Sequence, residues 1–207
     1  LFSPTEGIDD RRRECAASLQ AVLRRLSVVH RIAVQRVQHA LGAPAGSGAG
    51  RLPRAFPGMT PIRYVEPVFR PPSEAESLIL PVTDGCSWNE CTFCEMYTAP
   101  QKKFRARDEA EVLESIRLTG ERYGDQVRRV FLADGDATVL PTRRLLAILA
   151  AIRTHFPAVR RISSYCLPRN LRKKSQTEVN ELAAAGLSMV YVGAESGDDR
   201  LVVIRFP

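Results

Sequence analysis

The sequence predicts an α/β protein built on a partial, TIM-like barrel of parallel strands. Short apolar runs alternate with amphipathic helical segments in the order β-α-β-α-β-α-β, in units of about 30 residues that provide the crossovers parallel strands need. The 207 residues are 44% hydrophobic and 26% charged, which is enough for one domain with a core. No run approaches about 18 apolar residues, so a membrane span is excluded.

Each element of the barrel has a local signal. The first strand, 78–83, is apolar and ends at the turn residues Asp84 and Gly85. Asp108 and Pro141 suit helix starts, and Gly186 suits a helix end. Further strands are predicted at 127–133, 159–165 and 188–193, and helices at 108–123, 141–155 and 175–185. We expect residues 61–207 to form a barrel truncated after about the fourth strand, which would be an unpaired edge.

Residues 1–60 differ from the rest and predict a basic helical extension followed by a flexible linker. Apolar residues recur with a near-helical period over 8–41, with arginines between them, and 42–58 is rich in Gly, Ala and Pro. The extension is either a docking element or an appendage. The net charge is +7 and the pI is about 9.5. Nucleic-acid binding therefore stays open, although the charge is spread along the chain.

Three cysteines are concentrated in the loop after the first strand. Cys86, Cys91 and Cys94 have the spacing C-x4-C-x2-C. Three thiolates on one loop can bind three irons of a cubane cluster and leave the fourth iron open, whereas structural zinc normally takes four ligands. Plant-type [2Fe-2S] ferredoxins share the spacing but need a fourth cysteine. An iron–sulfur site and a zinc- or [2Fe-2S]-stabilised binding module, including one for nucleic acid, therefore remain. The cysteine usage favours a reducing compartment, the cytoplasm.

The cysteine loop, with Phe93 directly before its third cysteine, resembles that of the radical S-adenosylmethionine (radical SAM) enzymes. Residues 131–138 are similar to the family's glycine-rich segment after the second strand, and residues 192–197 to its G-x-E-S-G segment. Polar residues at 163–170 follow the third strand, where ligands bind in α/β folds. The resemblance covers about 78–197 and is similar to the branch of oxygen-independent coproporphyrinogen oxidases.

The resemblance implies that the three cysteines hold a [4Fe-4S] cluster whose open iron binds S-adenosyl-L-methionine. Reductive cleavage would give a 5′-deoxyadenosyl radical that takes a hydrogen atom from a substrate, with electrons from an external donor such as flavodoxin or ferredoxin. The implied cofactor-binding residues are Phe93, Asp134, Gly135, Asp136, Ser164 and Glu195. Trp88, Phe93, Met96 and Tyr97 would shield the cluster. No catalytic residue and no substrate follow from the resemblance.

Other polar residues near these motifs have simpler interpretations. Asp136 also suits a helix cap, and Arg169 suits either a carboxylate ligand or a surface salt bridge. Cys166, at a strand end, is predicted to be an ordinary buried cysteine. Four basic residues that follow the cysteine loop are predicted to form a solvated charge run: Lys102, Lys103, Arg105 and Arg107.

Overall fold

The computed structural model describes residues 33–35, 61–91 and 94–193, of which 33–35 are described by their backbone alone. The strands are β1 (Ala33–Gln35), β2 (Leu78–Pro81), β3 (Thr83–Asp84), β4 (Arg105–Ala106), β5 (Arg129–Ala133), β6 (Arg161–Tyr165) and β7 (Leu187–Gly193). The α-helices are α1 (Glu109–Tyr123), α2 (Thr142–His155), α3 (Pro168–Arg172) and α4 (Gln176–Ala184). No helix in this described part is long and apolar enough to cross a membrane.

The main sheet is parallel throughout, in the order β1-β7-β6-β5-β2. Strands β2, β5, β6 and β7 alternate with helices, which confirms the predicted α/β architecture of a partial barrel. Within the described ranges the sheet stays open. The structure also contains a small antiparallel pair of strands, β3 and β4, and the short helix α3, which were not predicted.

Local capping signals account for the helix boundaries. The Asp108 carboxylate accepts a hydrogen bond from the Glu111 amide at the start of α1. Ser175 and Glu178 form a reciprocal capping box at the start of α4. These contacts satisfy amide groups that a helix start leaves unpaired, so α1 and α4 begin where the sequence predicts. Helix α2 begins after Pro141, whose restricted backbone suits a helix start, without a side-chain cap.

The two faces of the main sheet bury different side chains, because successive residues of a strand point to opposite sides. Leu80, Leu132 and Ile162 pack against the helices in the larger core. The opposite face carries Ile79, Phe131 and the rings of Tyr165 and Tyr191. The Phe131 ring meets those of Tyr165 and Tyr191 edge-on, with centroid distances of 5.1 and 6.2 Å.

The segment before β2 lies against this second face. The Tyr64 hydroxyl donates to the Ile79 carbonyl at 2.9 Å. Glu74 is fully buried, and its carboxylate accepts hydrogen bonds from the Tyr191 hydroxyl at 2.5 Å and pairs with Arg161 at 3.0 Å. Residues 64–74 are therefore part of the fold.

Strand β1 corrects two predictions. It lies inside the segment 8–41 that we predicted to be helical, so that prediction is wrong for residues 33–35. It also pairs in parallel with β7, Ala33 opposite Tyr191, so β7 is not the unpaired edge we expected. The physical reason is that β7 exposes a free row of backbone donors and acceptors, which any available extended segment can satisfy. The remainder of the predicted extension and linker lies outside the described residues.

Candidate iron–sulfur site

The cysteine loop begins at the carboxyl edge of the main sheet. Parallel strands end at the same edge, where α/β proteins bind their ligands. β3 continues from β2 through Val82, and the Asp134 amide donates to the Thr83 carbonyl at 3.3 Å. The start of the cysteine loop and the segment 134–138 after β5 are thereby held side by side.

Gly135 lies directly behind Cys86. Its φ is +54°, a region that favours glycine. A Cβ atom at this position would collide with the Gly85 carbonyl oxygen and would lie 2.8 Å from the Cys86 Cα. The structure therefore brings the predicted Gly135 against the first cysteine, and only glycine permits this approach.

The three cysteines are partly exposed at this edge. Cys86 and Cys94 are free thiols, and the Cys94 amide donates to the Cys91 carbonyl at 3.2 Å. Burial raises the pKa of the Cys86 thiol, and the nearby charges of Asp136 and Cys94 act in the same direction against two backbone hydrogen bonds. Asp136 is linked to this loop through Asn170, which donates hydrogen bonds to Asp136 and to Ser87, the residue after Cys86.

The donor set can be tested against an iron–sulfur cluster. Thiols are the ligands that such clusters take, and coordination deprotonates them. Within the described ranges, no group of three or more His, Cys, Asp or Glu side chains is already arranged to hold a metal ion. The residues fit the cluster by chemistry and by their place on one loop at the carboxyl edge.

Asp134 is engaged by a lysine. The Lys102 ammonium pairs with Asp134 Oδ2, and neither side chain is more than 2% exposed. Asp134 Oδ1 accepts from the Gly135 amide at 3.0 Å, and the Tyr97 hydroxyl hydrogen-bonds to the same carboxylate. Asp134, which the resemblance implies as a cofactor-binding residue, is thus already paired with a lysine of this chain.

Asp84 forms the second buried ion pair. Its Oδ1 accepts from Arg107 Nε at 2.9 Å and from a terminal Arg107 nitrogen at 2.7 Å, and its Oδ2 accepts from Arg105 Nε at 2.7 Å. Burial alone would raise the pKa of Asp84, but the hydrogen bonds and charges of the two arginines outweigh it and lower the pKa. The solvated-run prediction is therefore wrong for Lys102 and Arg107, because each neutralises a buried carboxylate. Lys103 and Arg105 are exposed, as predicted.

Asp136 is held by hydrogen bonds. It is fully buried, and its Oδ1 accepts from the Thr138 amide at 2.9 Å and the Thr138 hydroxyl at 2.5 Å. Its Oδ2 accepts from Asn170 Nδ2 at 2.6 Å. Burial raises the pKa of Asp136, and these hydrogen bonds oppose the rise. Asp136 also caps the 3-10 helix Ala137–Val139, which agrees with its alternative interpretation.

Comparison with known proteins adds one finding to this geometry. The sequence model of the radical SAM superfamily matches residues 80–206, more than half of the chain. The chain belongs to the radical SAM superfamily. No curated protein and no solved structure matches it. The radical SAM match begins within β2 and includes the whole cysteine loop and the segments after β5 and β6.

Ser164, predicted for the radical SAM cofactor site, lies on the helix-facing side of β6. It is fully buried opposite Leu132 and Val190 on the helix-facing side, and its hydroxyl donates to the Tyr165 carbonyl at 2.7 Å. Tyr165 lies on the other face. Burial raises the pKa of Tyr165, and Tyr191, Asp134 and Cys94 add to the effect, so this tyrosine is within electrostatic range of the site. The remaining predicted residues, Phe93 and Glu195, lie outside the described residues.

Two residues of helix α3, which follows β6, contact the cysteine loop. The Arg169 guanidinium carbon lies 4.3 Å from the centroid of the Trp88 ring, so Arg169 stacks on an aromatic residue of the cysteine loop. Asn170 Nδ2 donates to the Ser87 hydroxyl at 2.9 Å. Cys166 is buried as predicted, 3.5 Å from the Thr138 hydroxyl.

The aromatic residues predicted to shield the cluster have distinct positions. Tyr97 is buried, its hydroxyl accepts from the Gly135 amide at 3.0 Å, and its ring meets Phe69 edge-on at 5.4 Å. Met96 and Trp88 are half-buried. Sequence reasoning missed the roles of Lys102 and Asn170, because their partners Asp134 and Asp136 lie 32 and 34 residues away in the sequence.

Proposed function

We propose that the protein is a radical SAM enzyme in which Cys86, Cys91 and Cys94 bind a [4Fe-4S] cluster and the neighbouring loops bind S-adenosylmethionine. The observation that carries the proposal is the superfamily match over 80–206, which includes a three-cysteine loop at the carboxyl edge of a parallel sheet. Membership implies cluster binding and S-adenosylmethionine cleavage in general.

The bound cofactors supply one-electron cleavage of the sulfonium C–S bond, giving methionine and a 5′-deoxyadenosyl radical that abstracts hydrogen. The protein's own residues position and enclose this chemistry. The three thiols lose their protons on coordination. Gly135 allows the segment after β5 to lie directly against Cys86. The half-buried side chains of Trp88 and Met96 would limit the access of water to the cysteine loop.

The two aspartates of the segment after β5 have different electrostatic roles. Asp134 is neutralised by Lys102 and anchors the loop. Asp136 carries a buried carboxylate that is held by hydrogen bonds from Thr138 and Asn170. This carboxylate favours positive charge at the site, such as the sulfonium or ammonium group of S-adenosylmethionine.

Finer aspects of the proposal come from the sequence resemblance. The protein would fall in the branch similar to oxygen-independent coproporphyrinogen oxidases and would receive electrons from a flavodoxin or ferredoxin. Gly135, Asp136, Phe93 and Glu195 would contribute to the cofactor site. An unprotected cluster of thiols suits the reducing cytoplasm.

The experiment is anaerobic reconstitution with iron and sulfide, followed by reduction in the presence of S-adenosylmethionine. The proposal expects methionine and 5′-deoxyadenosine, and it expects both to be lost when Cys86, Cys91 or Cys94 is changed to alanine. Cys166→Ala is the matched control and should keep the products. Tight zinc binding with no iron–sulfur spectrum would instead support a metal-stabilised binding module.

A further inference from the structure

We propose that Asn170 is a positioning residue that fixes the cysteine loop to the sheet edge and thereby sets the properties of the site. The proposal rests on the proposed function, since it concerns the loop that would hold the cluster. It is specific to the contacts of this chain, in which one amide joins three loops.

The Asn170 amide uses both of its hydrogens. Nδ2 donates to Asp136 Oδ2 at 2.6 Å and to Ser87 Oγ at 2.9 Å, and the residue is 4% exposed. The orientation of the amide follows from chemistry, because an ionised carboxylate only accepts and must face the NH₂ group. Asn170 therefore joins the loops after β3, β5 and β6 in one buried contact.

The contact falls next to a predicted ligand. Ser87 follows Cys86 directly, and residues 86–91 contain no helix or strand. A loop outside the helices and strands has no regular backbone hydrogen-bond ladder, so side-chain contacts contribute strongly to its position. The hydrogen bond from Asn170 to Ser87 is such a contact, and it acts one residue from the Cys86 sulfur.

A second contact from the same helix supports the first. The Arg169 guanidinium stacks on the Trp88 ring at 4.3 Å, so adjacent residues of α3 engage adjacent residues of the loop. Pro168 begins α3 immediately before them, and its restricted backbone fixes the direction in which the helix starts. The helix thus acts on the loop through two neighbouring side chains.

The first test uses the cluster-free protein and hydrogen exchange. Asn170→Ala should speed exchange by about fivefold in the peptide that contains residues 85–91, as expected for one lost hydrogen bond, with little change in α1 and α2. Lys173→Ala, an exposed change directly after the same helix, is the matched control. Unchanged exchange at 85–91, or equal acceleration throughout the chain, would overturn the proposal.

Two further variants keep the test decisive. Asn170→Asp retains the shape but loses the amide hydrogens and places a second carboxylate beside Asp136, so it should affect the loop at least as strongly. If the Asn170 variants do not fold, Ser87→Ala removes only the loop side of the contact and should give the same local acceleration. The double variant Ser87→Ala/Asn170→Ala should add little to either single change in this peptide.

The second test uses the reconstituted protein. Asn170→Ala should shift the midpoint potential of the cluster and weaken S-adenosylmethionine binding, whereas a role confined to folding would leave both unchanged in the folded variant. A wild-type protein that takes up no cluster would refute the proposed function. The exchange measurement on cluster-free protein would still decide the role of Asn170.

Discussion

The ammonium of Lys102 and the carboxylate of Asp134 form an ion pair that is almost completely removed from solvent. Lys102 follows the cysteine loop, and Asp134 directly follows strand β5, so the pair joins the end of the loop to the edge of the sheet. A buried charge that loses its partner is strongly destabilising, because nothing then compensates for its lost hydration. The pair is consequently a structural support of the site.

Replacing Lys102 tests how much the stability of the fold depends on this ion pair. Lys102→Met leaves the Asp134 carboxylate buried and unpaired, so we expect the free energy of unfolding to fall by about 3–5 kcal/mol. The double variant Lys102→Met/Asp134→Asn removes the unpaired charge and should recover much of the loss. Urea denaturation measures all three proteins.

Lys103 is the matched control for this change, since it is the next residue and is exposed. Lys103→Met should alter the free energy of unfolding by less than about 0.5 kcal/mol. Similar losses from Lys102→Met and Lys103→Met would contradict the buried ion pair.

The ion pairs of Asp84 predict a dependence of stability on pH. Its pKa in the folded protein lies below the ordinary value of 3.8, so the ionised carboxylate stabilises the fold above that value. This contribution is lost as the pH falls through the lowered pKa. Asp84→Asn should therefore be much less stable than the wild type near neutral pH, and the difference should narrow below pH 3.8.

The measurement is urea denaturation of both proteins from about pH 6 to about pH 3. Arg105→Ala provides a comparison, because Arg105 is 59% exposed and contributes less than the buried Arg107. A stability difference between wild type and Asp84→Asn that stays constant over this range would rule out the lowered pKa.

Gly135→Ala should disturb the cysteine loop more than it disturbs the rest of the fold. The added Cβ would collide with the Gly85 carbonyl and crowd the Cys86 Cα, so the loop must shift. Gly186→Ala is the control, since Gly186 also has a positive φ, +113°, but its Cβ would meet the flexible Arg153 side chain away from the loop.

Both glycine variants should lose stability through backbone strain. Only Gly135→Ala should also lose iron uptake on reconstitution, as measured by iron and sulfide content per chain. Equal iron uptake by the two variants would show that the close approach of Gly135 to Cys86 has no bearing on the site.

The sequence predicted the elements whose signals are local. Apolar runs located four strands, and the caps at Asp108 and Ser175 act within one turn of their helices. The face of the sheet on which Ser164 lies could also be predicted, because side chains alternate along a strand and Ser164 shares its face with the core residue Ile162.

The buried ion pairs could not be predicted from local sequence patterns. Lys102 and Arg107 lie in a basic stretch that is typical of an exposed segment, and their acidic partners are 32 and 23 residues away on other elements. The pairing of β1 with β7 is likewise a tertiary contact that joins distant segments. Such contacts depend on how elements pack, which no local pattern specifies.

The most direct test of the central claim is the electron paramagnetic resonance spectrum of the reduced, reconstituted protein with and without S-adenosylmethionine. A cluster held by Cys86, Cys91 and Cys94 with one open iron predicts a [4Fe-4S]⁺ signal that changes on addition of S-adenosylmethionine and persists in Cys166→Ala. A [4Fe-4S] signal that S-adenosylmethionine leaves unchanged, or that survives the loss of any of the three cysteines, would contradict it.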